Sequence, residues 1–419
     1  MSANRTVLLV GGTDTHLERA KALGLTVVLV QHRDKITAFQ TGLADALLMV
    51  DYTDWDAVAP LADAAHAVWG FAAVLSLTEG GLETAARLND RFGFPGNGHE
   101  VVRRMRDKGL MRRHLAAHGR LSTDFAAVTD RESLLAFGAR AGYPFIVKPT
   151  GATASFGLLR VADAADTDRV WERIEEMRGR RTDRGSTLFT VHEFLMEAYL
   201  DGPEFSVESF SFAGRHVVVA VTEKLVDEAH FAELGHALPA RLDEAAHAAV
   251  VAAVTEFLDV MGVTDGPTHT ELRLGRRGPA VIESHTRNGG DRITDLVAAA
   301  YGIDLVRYGL GWPLRLVEEL PDRPAAAGAA CIRFLRPEPG TVTAVSGPAE
   351  LAQLPEVLAV QVTVAPGDTV RPLHDNWDRV GHLAVRAADT DAAVALCERL
   401  AGERIRIEVA SEALVGASA

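Results

Sequence analysis

The sequence predicts an α/β protein of three domains, and three stretches of the chain support this. Over residues 6–76, short apolar segments alternate with helical patterns, which is typical of a parallel sheet covered by helices. Two alternating segments, 268–274 and 280–284, flank a glycine-bounded turn and predict a β-hairpin. Beyond residue 329, short strands with Pro-Gly turns and one helix at 391–400 predict a small α+β domain. We expect the domains at 1–98, 99–320 and 321–419.

The N-terminal region shows the clearest alternation. Strands are expected at 6–12, 26–31, 46–50 and 68–76, and helices at about 13–23 and 54–65. Gly11-Gly12-Thr13 lacks the G-x-G-x-x-G spacing, so a glycine turn is favoured over a dinucleotide site. Glu79 follows the fourth strand, at the edge where open α/β sheets bind ligands. We expect Glu79 to contact an ammonium group of a substrate; the alternative is a first-turn residue favoured by the helix dipole.

The central region begins after Phe94-Pro95-Gly96-Asn97-Gly98, which breaks the alternation. The patterns that follow predict helices at 101–117 and 131–141, a strand at 143–148, a helix at 164–180, a strand at 188–195, a hairpin of 203–212 with 216–225, and helices at 242–261 and 296–301. Gly262 is expected to end the long helix at 242–261.

A small, hydroxylated loop at 151–157 follows the strand that ends in Lys148; we call it the glycine-bounded loop. A loop of this kind can place backbone N–H groups around phosphate. It is not a Walker A motif, because no Gly-Lys-Ser/Thr occurs in the chain. A flexible hairpin loop is the alternative interpretation.

The predicted hairpin at 268–284 brings two carboxylates together. If its turn is symmetric about Arg277, Glu271 lies directly opposite Glu283. The two charges repel each other, and a divalent cation such as magnesium would compensate. The alternative is a solvent-exposed face balanced by Arg273 and Arg287. The opposite, apolar face would comprise Thr270, Leu272, Leu274, Ala280 and Ile282.

Composition excludes several classes of protein. The chain of 419 residues is 47% hydrophobic and 24% charged, which is ordinary for globular domains. Its net charge of −14 argues against nonspecific nucleic-acid binding and against anionic membrane surfaces. Cys331 and Cys397 offer neither a disulfide framework nor a metal spacing. No signal-peptide pattern and no long apolar run is evident, so we expect a soluble cytoplasmic enzyme.

Lysine is rare in this chain, with five lysines against 38 arginines among the 43 basic residues. A chain that otherwise uses arginine retains lysine for local reasons, and a compact point charge is one such reason. The five are Lys21, Lys35, Lys108, Lys148 and Lys224.

Eight short motifs occur in a characteristic order over nearly 200 residues. They are Pro95-Gly96-Asn97, Arg106-Asp107-Lys108, Ile146-Val147-Lys148-Pro149, the glycine-bounded loop, Glu193-Phe194-Leu195, the segment 202–208, Glu271, and Glu283 with Arg287-Asn288-Gly289-Gly290. In this order the chain resembles the ATP-grasp superfamily, in the branch that contains L-amino-acid ligases and biotin-carboxylase-like enzymes. The resemblance implies an ATP-grasp fold with a Rossmann-like N-terminal domain, a hinge near 193–196 and a small C-terminal α+β domain.

The same resemblance implies ATP and magnesium as cofactors, with manganese as an alternative ion. Nucleotide contacts would come from Lys108, Lys148, Ser155, Gly157, Glu193, Leu195 and Glu204, with Glu193 and Leu195 at the adenine and Glu204 at the ribose. Glu271 and Glu283 would hold the metal, and Glu283, Lys148 and Arg287 would act in catalysis. Substrate would face Glu79, His285, Arg287, Gly289 and Gly290. His285 stands where the family often has asparagine, and imidazole is a poor magnesium ligand, so we expect it to orient substrate or a carboxylate.

The leading functional interpretation is an ATP-dependent ligase that joins a small carboxylate to an amine through an acylphosphate, with amino acids favoured. A biotin-carboxylase-like subunit is the alternative; the chain has no Met-Lys-Met acceptor and would need a separate carrier protein. A non-catalytic nucleotide-binding regulator is disfavoured because the lysines and both hairpin carboxylates are intact. The expected partners are small molecules, and a homodimer is left open.

Overall fold

The computed structural model of the chain describes residues 4–120, 123–182, 188–227 and 230–410. Within these ranges the strands form four sheets, and an eight-stranded sheet carries most of the charged side chains discussed below. No helix in the described residues is both long and apolar enough to cross a membrane.

The N-terminal sheet is parallel, as the alternation of apolar segments predicts. Its elements are β1 (Thr6–Val10), α1 (Asp14–Ala22), β2 (Thr26–Gln31), α2 (Ala38–Leu43), β3 (Ala46–Met49), α3 (Trp55–Trp69), β4 (Ala73–Leu75) and α4 (Leu82–Phe92). The strand order is β3-β2-β1-β4. Consecutive residues of β1 and β2 are buried, because helices cover both faces of the sheet.

Two details of this region differ from the prediction. The expected strand at 68–76 is shorter, because α3 continues to Trp69 and ends at Gly70 with a positive φ of 60°. Helix α2 was not predicted: it has six residues and buries only Gln40, so it has no apolar stripe.

A four-stranded antiparallel sheet with helices follows. Its elements are α5 (His99–Arg106), α6 (Lys108–Ala117), β5 (Phe125–Ala127), α7 (Arg131–Ala141), β6 (Phe145–Pro149), β7 (Leu159–Val161), α8 (Thr167–Met177) and β8 (Phe194–Ala198). The strand order is β5-β8-β6-β7. Helices α7 and α8 bury Phe137 and Ile174 in one core with Phe145 of β6.

The single helix expected at 101–117 is two helices. Asp107 takes non-helical dihedral angles between them, and its carboxylate accepts the N–H of Leu110 at the start of α6. The strand expected at 188–195 begins only at Phe194, whereas the helix at 131–141 is confirmed.

The remaining chain forms the eight-stranded sheet and a three-stranded sheet. The elements are β9 (Glu204–Phe212), β10 (Arg215–Val226), β11 (Glu233–Leu238), α9 (Glu244–Met261), β12 (Gly266–Gly275), β13 (Gly278–His285), α10 (Ile293–Tyr301), α11 (Leu305–Gly311), β14 (Ala329–Phe334), β15 (Gly340–Ser346), α12 (Pro348–Leu351), β16 (Val357–Val362), β17 (Thr369–Val370), β18 (Gly381–Ala387), α13 (Thr390–Arg404) and β19 (Arg406–Ala410). The strand orders are β13-β12-β9-β10-β11-β14-β18-β16 and β17-β15-β19. Helix α9 ends at Gly262 with φ of 76°, as predicted.

The eight-stranded sheet crosses the expected boundary at 320. Strands β14, β18 and β16 come from the segment assigned to the C-terminal domain, and β14 pairs directly with β11. The domain limits therefore remain predictions, and the C-terminal segment extends the central sheet.

The hairpin of β12 and β13 confirms the pairing of Glu271 with Glu283, but by another geometry than expected. Its turn has two residues, because Gly275 pairs with Gly278, so Leu274 faces Pro279 and not Ala280. A bulge next to Glu271 adds one residue on β13 and restores the predicted register. As a result Val281, and not Ile282, packs with Leu272 in the core.

We expect Gly202→Ala to destabilise the protein more than Gly214→Ala. Both glycines have positive φ, 93° and 89°, so both variants are strained by about 1–2 kcal/mol. At Gly202 the new Cβ would also lie 2.2 Å from the carbonyl oxygen of Leu274, whereas nothing lies within 4 Å at Gly214. Urea denaturation of both variants measures the difference, and equal losses would mean that this close approach of β9 to β12 is not required.

Candidate active site

A cavity of about 520 Å³ is lined by residues from the N-terminal region, from the four-stranded sheet and from the eight-stranded sheet. Lys108 begins α6, Lys148 lies in β6, and Glu271 and Glu283 lie in the hairpin of β12 and β13. Glu79 enters from a 3-10 turn after β4, which puts the end of the N-terminal sheet at the same cavity. The structure therefore brings together most of the residues that the sequence singled out.

The charged face of the eight-stranded sheet follows from the two-residue period of strands. Residues two apart in β9, β10, β12 and β13 point to one face, and cross-strand pairing aligns them. The ionisable members of this face are Glu204 and Glu208 in β9, Lys224 in β10, His269, Glu271 and Arg273 in β12, and Glu283 and His285 in β13. Burying so many carboxylates requires a cation at each one.

Lys224 supplies one of these cations to three carboxylates at once. Its Nζ lies 3.0 Å from Glu204, 2.5 Å from Glu233 and 3.0 Å from Glu271, and its side chain is only 1% exposed. Burial lowers the pKa of Lys224, but the three carboxylates outweigh burial and raise it well above its ordinary value. Lys224 is therefore charged, and it compensates Glu271 in the ligand-free protein.

Glu283 is compensated by different groups. Lys108 Nζ lies 2.9 Å from Glu283 and donates to the carbonyl oxygen of Ala152 at 2.6 Å. His285 Nε2 lies 3.1 Å from Glu283, while its Nδ1 lies 3.1 Å from Glu79. The expected repulsion between the two hairpin carboxylates is thus balanced by Lys224 and Lys108, and His285 bridges two carboxylates.

Arg112, in the second turn of α6, connects the four-stranded sheet with the eight-stranded sheet. Its Nε donates to Glu197 of β8 at 2.6 Å, and its two terminal nitrogens donate to the carbonyl oxygens of Val281 and Ile282 at 2.9 and 3.0 Å. Glu197 also pairs with Lys148 at 2.7 Å. One buried guanidinium therefore fixes both the bulge before Glu283 and the partner of Lys148.

Arg287 lies where the sequence expected it, at the cavity wall. Its Nε donates to Glu79 at 2.7 Å, and Arg106 lies 3.3 Å from the same carboxylate. Glu79 is 2% exposed, and the nearby cations lower its pKa although burial raises it. Glu79 is therefore ionised and already paired, so a substrate ammonium group there would have to share it with Arg287.

The segment after β13 is held by a buried chain of hydrogen bonds. His269 Nδ1 lies 2.5 Å from Glu208, its Nε2 lies 3.2 Å from Glu271, and Gly289 donates its N–H to Glu208 at 3.0 Å. A Cβ at Gly289 would lie 2.8 Å from His269, so this position requires glycine. Gly290 has open space around it.

The glycine-bounded loop at 151–157 is packed against other parts of the cavity wall. Ala154 and Ser155 have positive φ of 61° and 58°, each costing about 1–2 kcal/mol for a residue other than glycine. Ser155 Oγ donates to the carbonyl oxygen of Phe231 at 2.9 Å, and the Phe156 ring centroid lies 5.1 Å from that of Trp377. Neighbouring segments thus hold the loop in a strained conformation.

Three predicted nucleotide-binding residues are absent from the described lining of the cavity. Glu193 is exposed, and its carbonyl oxygen accepts the N–H of Thr150. Leu195 is buried within β8, between β5 and β6, where the sheet uses its backbone groups. Gly157 packs against Pro149 and Met177, with φ of 70°. Glu193 and Leu195 therefore do not line the cavity, which is lined four residues later by Glu197, Ala198, Tyr199 and Leu200. Their assignment to the adenine stays a prediction.

Several residues at or beside the cavity were given no role by the sequence analysis. Arg112 carried a usable signal, because it lies four residues after Lys108 on a helix. Asn288 lines the cavity at 7% exposure, and its amide atoms have no hydrogen-bond partner within the described ranges. Arg379 had no local signal; it donates to both oxygens of Asp291 at 2.6 and 2.7 Å.

One group of potential metal ligands appears in the described residues away from the hairpin pair: Glu233, His236 and Asp291, with ligand atoms within 4.8 Å of one another. Arg379 occupies both oxygens of Asp291, and Lys224 and Asn376 contact Glu233. The two carboxylates of this group therefore take part in ion pairs and hydrogen bonds.

Comparisons with known proteins agree with this architecture. The family model described as ATP-grasp domain matches residues 141–295, the ATP-grasp N-terminal domain matches 17–96, and the L-amino acid ligase C-terminal domain 2 matches 333–410. The fold and the charged cavity define an ATP-grasp protein. Within that superfamily, the chain is similar to the L-amino acid ligases, whose C-terminal domain model its residues 333–410 match.

Individual relatives are distant. A protein of Sinorhizobium fredii (strain NBRC 101917 / NGR234) named uncharacterized protein y4rH is 25% identical over 94% of this chain and 81% of its own length. Alanine–anticapsin ligase of Bacillus subtilis (strain 168) is 26% identical over 57% of this chain, and the match spans only 53% of that ligase. The crystal structure of L-amino acid ligase from Bacillus licheniformis matches with a TM-score of 0.83 and 22% identity. The match covers 98% of this chain and all of that one, and it shows that the two share a fold.

Glu197→Gln is expected to change the pH dependence of stability. Burial raises the pKa of Glu197, but Arg112 and Lys148 outweigh it and lower the pKa from 4.5 to about 2. Because the folded pKa is depressed, the contribution is complete above pH 4.5 and is lost as the pH falls toward 2. The difference in unfolding free energy between wild type and variant should therefore be about 1.4 kcal/mol smaller at pH 3.5 than at pH 7.

Urea denaturation at the two pH values measures this difference. The control is Glu350→Gln, whose side chain is 75% exposed beside Arg404 and should give no such change. If the unfolding free energies of wild type and Glu197→Gln fall by the same amount between pH 7 and pH 3.5, Glu197 is not an ionised, paired group.

Proposed function

We propose that the protein is an ATP-dependent ligase that forms an amide bond between a small carboxylate and an amine, with amino acids as substrates, and releases ADP and phosphate. The observation that carries the proposal is the facing pair Glu271 and Glu283, in one cavity with Lys108, Lys148 and Arg287. The names of the relatives, which include alanine–anticapsin ligase and an L-arginine-specific L-amino acid ligase of Bacillus subtilis, support amino acids as the substrate class.

The residues of the hairpin fit a magnesium ion. Glu271 and Glu283 offer hard carboxylate oxygens from directly paired positions, and these oxygens suit magnesium or manganese when phosphates complete the shell. Bound there, the ion would neutralise charge on the phosphates. We assign the two carboxylates as ligands, oriented by their ion pairs with Lys224 and Lys108. His285 acts as a positioning partner of Glu283, since its Nε2 faces Glu283 while its Nδ1 faces Glu79.

Phosphoryl transfer needs fixed positive charge around the γ-phosphate. Lys148 and Lys108 are buried at the same end of the cavity, next to the glycine-bounded loop. Burial lowers the pKa of Lys148, and Glu197 counteracts this by keeping a negative charge 2.7 Å away. We assign the two lysines and Ser155 to the phosphates, and Glu204 to the ribose.

The reaction would proceed in two steps. A carboxylate oxygen of the donor attacks the γ-phosphorus, the bond from that phosphorus to the bridging oxygen breaks, and ADP leaves. The amine then attacks the acyl carbon, loses a proton, and phosphate leaves with the donor oxygen. Arg287 faces the acyl group, Asn288 offers its unpaired amide to the same substrate, and the closed loop keeps water away from the intermediate.

A pairwise screen of amino acids, measuring ADP release and product mass, tests the proposed function. We expect ADP formation to require two amino acids, and we expect a product whose mass is the sum of the two minus one water. A biotin-carboxylase-like function would instead show bicarbonate-dependent ADP release with free biotin. If neither set of substrates causes ADP release, the ligase proposal is contradicted.

Glu283→Gln should abolish turnover and leave the fold intact. The variant keeps the side-chain volume but removes a charge that we assign to the metal, so kcat should fall by about 100-fold or more. Because Lys108 loses its partner, the variant should not become more stable. Initial rates and circular dichroism measure the two effects, with Glu319→Gln, 53% exposed beside Arg215, as the control. Wild-type rates in Glu283→Gln would remove Glu283 from the metal site.

A further inference from the structure

A short segment of the C-terminal region, residues 375–379, reaches the cavity; we call it the C-terminal turn. It contains the 3-10 turn Asn376–Asp378 and lies between β17 and β18. Three of its side chains, Asn376, Trp377 and Arg379, line the same cavity as Lys148 and Glu271. None of them belongs to the set of residues assigned above to nucleotide or metal.

Trp377 contacts the glycine-bounded loop. The centroids of its ring and the Phe156 ring lie 5.1 Å apart, at 38° between their planes. Phe156 also packs edge-on against Phe189, with centroids 5.8 Å apart. The tip of the loop is therefore held between an aromatic side chain of its own core and one from the C-terminal turn.

The other two side chains join the turn to Glu233 and Asp291 in the cavity wall. Asn376 accepts the backbone N–H of Glu233 at 2.7 Å and donates to its carboxylate at 3.0 Å. Arg379 forms a two-fold contact with Asp291 and donates from Nε to the carbonyl oxygen of Asn376 at 2.8 Å. The turn is thus rigidly tied to Glu233 and Asp291, which line the cavity beyond the hairpin carboxylates.

The loop depends on such contacts because it is strained. Two consecutive residues, Ala154 and Ser155, have left-handed backbone angles, and neither is glycine. A backbone of this kind persists only where its surroundings hold it. One contact of the loop is the hydrogen bond of Ser155 to Phe231. Another is the ring contact of Phe156 with Trp377, which comes from the C-terminal region.

We propose that Trp377 is a positioning residue: the C-terminal turn holds the glycine-bounded loop closed over the nucleotide, and Asn376 and Arg379 make that closure depend on Glu233 and Asp291. This rests on the proposed function only in assigning the loop to ATP phosphates. The consequence is that the last part of the chain controls how long a nucleotide stays bound and how well water is excluded during turnover.

The test measures release of a fluorescent ADP analogue, N-methylanthraniloyl-ADP, with magnesium by stopped flow, using the full chain. Trp377→Ala should raise the dissociation rate about threefold to tenfold, the effect of losing one aromatic contact. Trp377→Phe should restore most of the wild-type rate. Trp69→Ala, which removes an exposed tryptophan on α3, should leave the rate unchanged. An unchanged rate in Trp377→Ala would overturn the proposal.

A double-mutant cycle separates a direct contact from general loosening. Phe156→Ala also loses the contact with Phe189 and should raise the rate by at least as much as Trp377→Ala. Adding Trp377→Ala to Phe156→Ala should then change the rate little, because the contact between the two rings is already lost. Additive effects would overturn the proposal, and Phe156→Ala supplies the measurement if Trp377→Ala fails to fold. Phosphate released per amide formed should also rise in both variants. A wild type that binds the analogue but makes no amide would refute the ligase function alone; one that binds no analogue would refute both.

Discussion

The buried guanidinium of Arg112 fixes the two antiparallel sheets relative to each other. It lies one turn after Lys108 on α6, and its three hydrogen bonds reach Glu197 of β8 and the two carbonyl oxygens at the bulge of β13. Without those bonds the two bulge carbonyls would be left unpaired in a buried site, and Glu197 would keep only Lys148 as a charged partner. Breaking a buried ion pair costs about 3–5 kcal/mol. Lys148 and Glu283 belong to different sheets, and Arg112 sets the separation between them.

Much of this arrangement could be predicted because it follows from local periodicity. Strand alternation put Glu271 opposite Glu283, and the scarcity of lysine marked Lys108, Lys148 and Lys224 before any contact was known. The pairing of the carboxylates was nevertheless right for a partly wrong reason. A two-residue turn and a bulge together give the register that a symmetric loop would give, and a bulge leaves no pattern in the sequence.

What could not be predicted depends on contacts between distant segments. Alternation cannot tell which of Glu193 or Glu197 meets the cavity, because the two are four residues apart and have the same parity. The pairing of β8 with β6, which brings Glu197 to Lys148, decides it. Asp291 and Arg379 are 88 residues apart, and no local pattern joins them. The compensation of Glu271 by Lys224 likewise needs the pairing of β9 with both β10 and β12. The assignments of ribose, phosphates and substrate remain proposals for the same reason.

The central claim is that the cavity activates a carboxylate by phosphorylation, and oxygen transfer measures that most directly. A donor carboxylate labelled with oxygen-18 is incubated with ATP, magnesium and an amine, and the released phosphate is analysed by mass. The account predicts ADP and a phosphate that carries one labelled oxygen for each amide formed. Unlabelled phosphate despite amide formation, or AMP with pyrophosphate, would contradict it.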